Sequence, residues 1–469
     1  MKKTIISTTL ILSTFSFFAQ LNWQKGGNNL TGGGVATIGT DGSWNSPLTF
    51  LTFGTGRMTL TTTNQLNMIS NNSSFQIAGQ DVLIHKGNNR NIFVGVGAGN
   101  NHLGPASNNS YLGSNAGFTG SGSAINSQNT IIGGDAGFNN DGPDNVFVGY
   151  RAAFGISGFN TNGLTAVGTF AGETGTQNGE TVFVGYKAGQ STNAFANCFV
   201  GFNSGINSTT GSNNSFFGTN AGSSNQTYNN NTYIGRSSGA ISNGNKNTCV
   251  GGLSGTSGVG NKNVLLGFSA MSAATSGNQN VIIGTDANST TTGNSFNTMI
   301  GTEAGLANTT GARNTFIGYQ TALNQTTGDN NAYLGTNTGN NMVSGNNNTF
   351  IGGNANATNA NSNLSNASAI GANAQVTNND HMILGDNNVN VGIGLSADAT
   401  GPQNKLEINT AATSAIPGSS GLRFRDLTTA STLQTPGAGL LSVNTNGDVI
   451  YVANTVGNNG VSITNGVAQ

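Results

Sequence analysis

The chain holds three histidines, His85, His102 and His381, two cysteines, Cys198 and Cys249, and one loop that gathers two aspartates, Asp141 and Asp144. Histidines serve as metal ligands or proton relays only when they converge. Asp141 and Asp144, in NNDGPDN (139–145) with amide oxygens nearby, are oxygen donors of the kind calcium takes. VGVGAG (94–99) and GGDAG (133–137) look faintly like phosphate loops, but no helix pattern follows and no Lys-Ser/Thr closes either. Whether any of these groups can meet depends on the elements that carry them.

A length of 469 residues would ordinarily suggest two to four domains. Here only 7% of residues are charged, the formal net charge is −1, glycine numbers 73 and proline 6. So few lysines and arginines leave no electrostatic footprint for nucleic acid or anionic lipid. A Gly/Asn/Ser/Thr-rich composition is also that of disordered tracts, and only strict periodicity argues otherwise.

Residues 1–20 stand apart. Lys2 and Lys3 precede an apolar run from Ile5 to Phe18, and Ala19 offers a small residue for cleavage, the pattern of a secretory signal peptide. No later apolar stretch has spanning length, so no transmembrane helix is expected in the mature chain, which is expected to be exported.

The period is strict. A glycine that follows an apolar pair recurs at 95, 113, 133, 149, 168, 185, 201, 218, 235, 251, 267, 284, 301, 318, 335, 352, 371 and 385. From Gly168 to Gly352 every step is 16 or 17 residues. That spacing is too short for two helices and a turn, and no 3.6-residue apolar stripe accompanies it. It suits one coil of a parallel β-solenoid, with two short strands and Asn/Gly corners per coil. The expected order is an N-terminal β module at 21–90, about eighteen coils over 91–394, a rod of roughly 85 Å at about 4.8 Å per coil, and a C-terminal β module at 395–469.

The residue before each glycine is apolar in all eighteen copies, and the one before that is mostly aromatic, as in Phe183, Phe216, Tyr233 and Phe316. Neighbouring strand residues point to opposite faces, so both faces ask for burial. A lone solenoid buries only its inner face. The outer stripe would exceed what a soluble monomer exposes, so several copies are expected around a shared axis. Asn opens the phrase in fourteen copies, among them Asn91, Asn109, Asn231, Asn297 and Asn314, where stacked amides can hydrogen-bond along the ladder.

The pattern N-T-φ-φ-G-x-x-A-G, with φ apolar, resembles the head repeats of YadA-like trimeric autotransporter adhesins, whose shorter repeats read N-S-V-A-I-G. It is closer still to the Asn/Gly-rich, tail-fibre-like surface proteins of Bacteroidetes, which commonly end in an endosialidase-type chaperone. The flanks SPLTFLTFGTGRMTLTTTNQLNMIS (46–70), NVNVGIG (388–394), NKLEINT (404–410), SGLRFRDLTTAS (420–431) and LLSVNTNGDVIYV (440–452) resemble the modules around such repeats. The resemblance implies a homotrimeric β-roll, left-handed, at the cell surface and associated with the outer membrane. The sequence stops at VSITNGVAQ (461–469) without a membrane barrel or chaperone, as a truncated fragment would.

This architecture separates the chemical groups. His102 and His381 fall near opposite ends of the rod, so no metal centre, cofactor or catalytic residue is expected, and the chain is not expected to be an enzyme. Calcium-binding solenoids repeat their acidic ligands in every coil, which leaves one isolated site at Asp141 and Asp144 as the alternative. Cys198 and Cys249 lie three coils apart, about 14 Å at about 4.8 Å per coil, too far for a disulfide. Should the column of Cys249 face the shared axis, one interchain bridge is open to it. Two functions remain: a secreted or cell-surface structural or adhesive fibre with an unknown surface or glycan ligand, or an ice- or polysaccharide-binding solenoid using the Asn-Thr column. A phage-type tail-fibre shaft is a variant of the first.

Overall fold

The computed structural model describes residues 48–52, 55–60, 66–68, 74–84 and 90–393 apart from 102–106, 119–126, 141, 156–161 and 176–178, with short segments between 402 and 468. Two compact units divide between Asn387 and Asn388. The first opens with the antiparallel strands Leu48–Thr52, Thr55–Leu60 and Leu66–Met68. A hairpin, Ser74–Ile77 with Gln80–Ile84, then pairs antiparallel with Ile92–Val94. From that strand onward the long ladder is parallel. Sixteen three-residue strands follow one another from Ile92–Val94 to Thr349–Ile351, and Ser368–Ile370 and Met382–Leu384 continue the ladder. The chain is a parallel β-solenoid of about 17 residues per turn, with no helix among the described residues. In the second unit, Val391–Ile393 pairs parallel with Leu406–Ile408, and Gly439–Val443 pairs antiparallel with Val449–Ala453.

Each regular turn carries one strand rather than the two expected. The reason is the backbone after the glycine. In the turn of Gly318, φ is 140° at Gly318, 51° at Gln320 and 55° at Ala322, and 56° at Arg313 before the strand. Alternate left-handed residues wind the chain instead of extending it. Among the described residues a second strand forms only near the end, where Asn356–Ala357 pairs with Gln375–Val376.

The middle residue of each strand points into the coil. Phe183, Phe199, Phe216, Phe316 and Phe350 are fully buried, and their rings stack from turn to turn. Centroids lie 4.6 Å apart for Phe199–Phe216 and 4.9 Å for Phe216–Tyr233, about the ladder repeat itself. Each ring needs room. A Cβ on Gly205 would stand 2.5 Å from the Phe199 ring, so glycine at that corner makes space for the core. Where the core residue shrinks, a neighbour fills the coil. The turn with Ala166 replaces the usual Asn with fully buried Leu164, and beside Cys249 the fully buried Val259 closes the gap.

Two polar ladders of opposite direction bind turn to turn. The buried one uses the Asn that opens each phrase. Asn280 Oδ1 accepts the Asn297 backbone N–H at 2.9 Å, and Asn297 Oδ1 accepts that of Asn314 at 2.9 Å. Asn297 Nδ2 donates to the Gly311 carbonyl at 3.0 Å, tying down the corner that leads into the next turn. The other ladder runs along the rim two residues earlier. There the Asn229, Asn245 and Asn261 backbone N–H groups donate forward to Asn245, Asn261 and Asn278 Oδ1 at 2.7, 2.9 and 2.7 Å. Asp329 and Asn346 play the same part further along.

Asn297→Ala leaves the Asn314 N–H buried without its acceptor and takes from the Gly311 carbonyl one of its two donors, the other being Asn308 Nδ2 at 3.2 Å. It is expected to cost about 1–3 kcal/mol, read as a lower denaturant midpoint. A change below about 0.5 kcal/mol would contradict the ladder's role.

Candidate functional site

Among the described residues the groups singled out for chemistry do not converge. His381 occupies the Asn position of the last ladder strand, is exposed, and accepts the Ser368 N–H through its carbonyl at 2.8 Å. His85, His102 and Asp141 lie outside the described residues. Asp144 is an exposed corner residue with φ of 61°. The amides beside it turn inward: Asn145 Nδ2 donates to Asn140 Oδ1 at 3.1 Å and to the Gly142 carbonyl at 3.0 Å. Among the described residues no three His, Cys, Asp or Glu side chains gather as metal ligands.

The glycine phrases that look like phosphate loops are the winding segment after the strand, and their amides are engaged. Gly133 N–H donates to the Leu112 carbonyl, Asp135 to Ser114, Ala136 to Gly133 and Gly137 to Ala152. Cys249 is fully buried inside its coil and Cys198 is half-buried on the outer strand face. Burial raises both thiol pKa values, that of Cys249 far above the ordinary range. The column of Cys249 faces the coil interior, so it offers no interchain bridge. Both thiols are free.

What the fold does build is a surface. The first and third residues of every strand point outward on one flat face. On it Leu112, Ile132, Phe217, Ile234, Leu266, Leu334 and Ile351 each expose 39–50% of their area. Beside them runs Thr130, Thr232, Thr248, Thr298, Thr315 and Thr349, interrupted by Val146, Val264, Val281 and Ala332. The apolar pair is thereby resolved: the aromatic member fills the coil and the aliphatic member faces out. Just past the glycine, Tyr150, Tyr186, Phe202, Phe268 and Tyr319 add exposed aromatic area. Tyr150, Phe170, Tyr186 and Phe202 contact one another on successive turns, at centroid separations of 5.7, 5.9 and 5.2 Å. Lys187 Nζ lies over the Tyr186 ring at 5.4 Å.

The face is long as well as apolar. Some sixteen strands about 4.8 Å apart and about 10 Å wide give about 750 Å². That footprint, the aliphatic and Thr columns together, approaches the roughly 800 Å² per partner of a stable interface.

Among the described residues no helix is long and apolar enough to cross a membrane. Comparison with protein-family models, curated proteins and solved structures gives no match.

Phe316 and Ile317 now separate two effects. Phe316→Asp places a charge in a closed coil and is expected to abolish folding, read as loss of the far-UV β signal. Ile317→Asp leaves the coil intact and is expected to keep that signal. Equal loss of structure in both variants would contradict the assignment of faces.

Proposed function

We propose that this chain is a structural or adhesive fibre of the cell surface, exported by its N-terminal leader, whose solenoid rods associate as a homotrimer. One observation carries the reading: the outer strand face is apolar from turn to turn and uncovered in a single chain. A second copy of the same chain is the occupant that fits, because it brings the same repeat at the same pitch. Side chains on one rod then meet equivalent side chains on the next without loss of register. The number three comes from the resemblance to trimeric adhesin heads, as does the placement at the outer membrane.

The Thr column lies on that same flat face, which is the observation favouring an ice- or polysaccharide-binding solenoid. Val, Ala and Cys interrupt it, however, and its neighbouring column is wholly aliphatic or aromatic. The fibre is the better reading. Thermal hysteresis of the purified protein would reverse that preference.

Native mass spectrometry of the full chain is expected to give three copies, and Ile317→Asp with Leu334→Asp a folded monomer. Cys198, on the covered face, should react with a thiol reagent at least about tenfold faster in that monomer. A monodisperse monomer of the unmodified chain would overturn the proposal.

A further inference from the structure

Beside the strand face, one corner of the solenoid opens into a groove of about 580 Å³ that crosses five successive turns, from Asn229 to Phe296. Its floor is the rim ladder. Because Asn245, Asn261 and Asn278 each accept a backbone N–H from the preceding turn, their amides are held at the ladder spacing rather than free to rotate. Its wall is the next residue along, where Lys246, Lys262 and Phe296 project from turns in the same column.

Two features of that wall are not needed by the fold. Lys246 and Lys262 sit on adjacent turns, tied by the Lys262 N–H to the Asn245 carbonyl at 2.9 Å. Both are exposed, and among the described residues neither is ion-paired. Like charges one strand spacing apart repel, so the pair is a cost in the empty rod. The next cation in the column, Arg313, is by contrast paired with Asp329 at 3.1 Å. The second feature is Phe296. It is 53% exposed with φ of 62°, a left-handed conformation that bulky side chains adopt at a cost. Equivalent corners hold Asn213, Asn230, Gln279 and Asn330. A large ring there has no core to fill.

We propose that this groove binds an acidic polysaccharide lying along the rod. The two lysines take carboxylate or sulfate groups of the sugar, and Phe296 stacks on a ring. Asn245 and Asn261 Nδ2 each spend one N–H on the next amide oxygen, at 3.3 and 3.1 Å, and the second N–H of each donates to the sugar's hydroxyls. One turn of the solenoid advances by about 4.8 Å, close to the length of one pyranose, so successive sugars meet successive turns. The inference deepens the adhesive reading and rests on it, since it gives the fibre a ligand class and a place to hold it.

The test is isothermal titration of the full chain with tetragalacturonate, a sulfated dextran oligomer and neutral maltotetraose. Binding to either acidic oligomer supports the proposal, identifies its anion and should weaken as salt is raised. Lys246→Gln with Lys262→Gln is expected to reduce affinity about tenfold or more, and Phe296→Ser about fivefold. No binding to either acidic oligomer would overturn it. So would equal binding of maltotetraose, or unchanged affinity in the double lysine variant. An intact oligomer mass in that variant keeps the two readings apart: loss of sugar binding with the mass retained leaves the fibre standing.

Discussion

From Gly113 to Gly371 the carbonyl oxygen of each repeat glycine sits where a Cβ on the previous turn's glycine would have to be. On Gly318 that atom would fall 2.2 Å from the Gly335 oxygen, and on Gly301 2.2 Å from that of Gly318. No side chain fits, and the φ of 140° at Gly318 disfavours any residue with a Cβ. This one contact sets how closely the turns stack and aligns every other column. Once the glycines register, the aromatic core stacks, the buried Asn reaches the next N–H, and the outward aliphatic residues form a straight face. The two amide ladders then hold the register from both sides. A slip in either sense parts donors from acceptors in both.

Much of this was legible in the sequence. The glycine ruler gave the parallel coil and its pitch, the apolar pair gave two faces, and the recurrent Asn gave a ladder. Strand alternation says that Phe316 and Ile317 point apart but not which is inside. That follows from volume, since an aromatic ring fills a coil whose corner glycine makes room for it. The expectation of two strands per turn failed because corner residues such as Lys187, Phe170 and Arg313 take positive φ without looking like turn residues. Neighbouring turns impose that conformation, as tertiary context overrides local preference.

The rim ladder was not legible for a related reason. Its column mixes Asn, Asp and Ser, because all that geometry asks is one acceptor oxygen at the right reach, as at Asn278, Asp329 and Ser295. A column defined by an atom rather than by a residue type leaves little trace in a sequence. The groove built on it was hidden for the same reason. Its lysines look like ordinary solvated charges until their spacing along the rod is known.

Register at one turn per glycine is the claim on which the faces, the ladders and the groove all depend. It is tested most directly by the distance between spin labels at two exposed positions, Thr219 and Thr336, each one residue past its repeat glycine. The chain carries Cys198→Ser and is diluted in unlabelled protein. Seven turns separate the two glycines, so the account predicts a single narrow distance of about 34 Å, seven steps of about 4.8 Å. A broad distribution, or a mean more than about 8 Å away from that value, would contradict it.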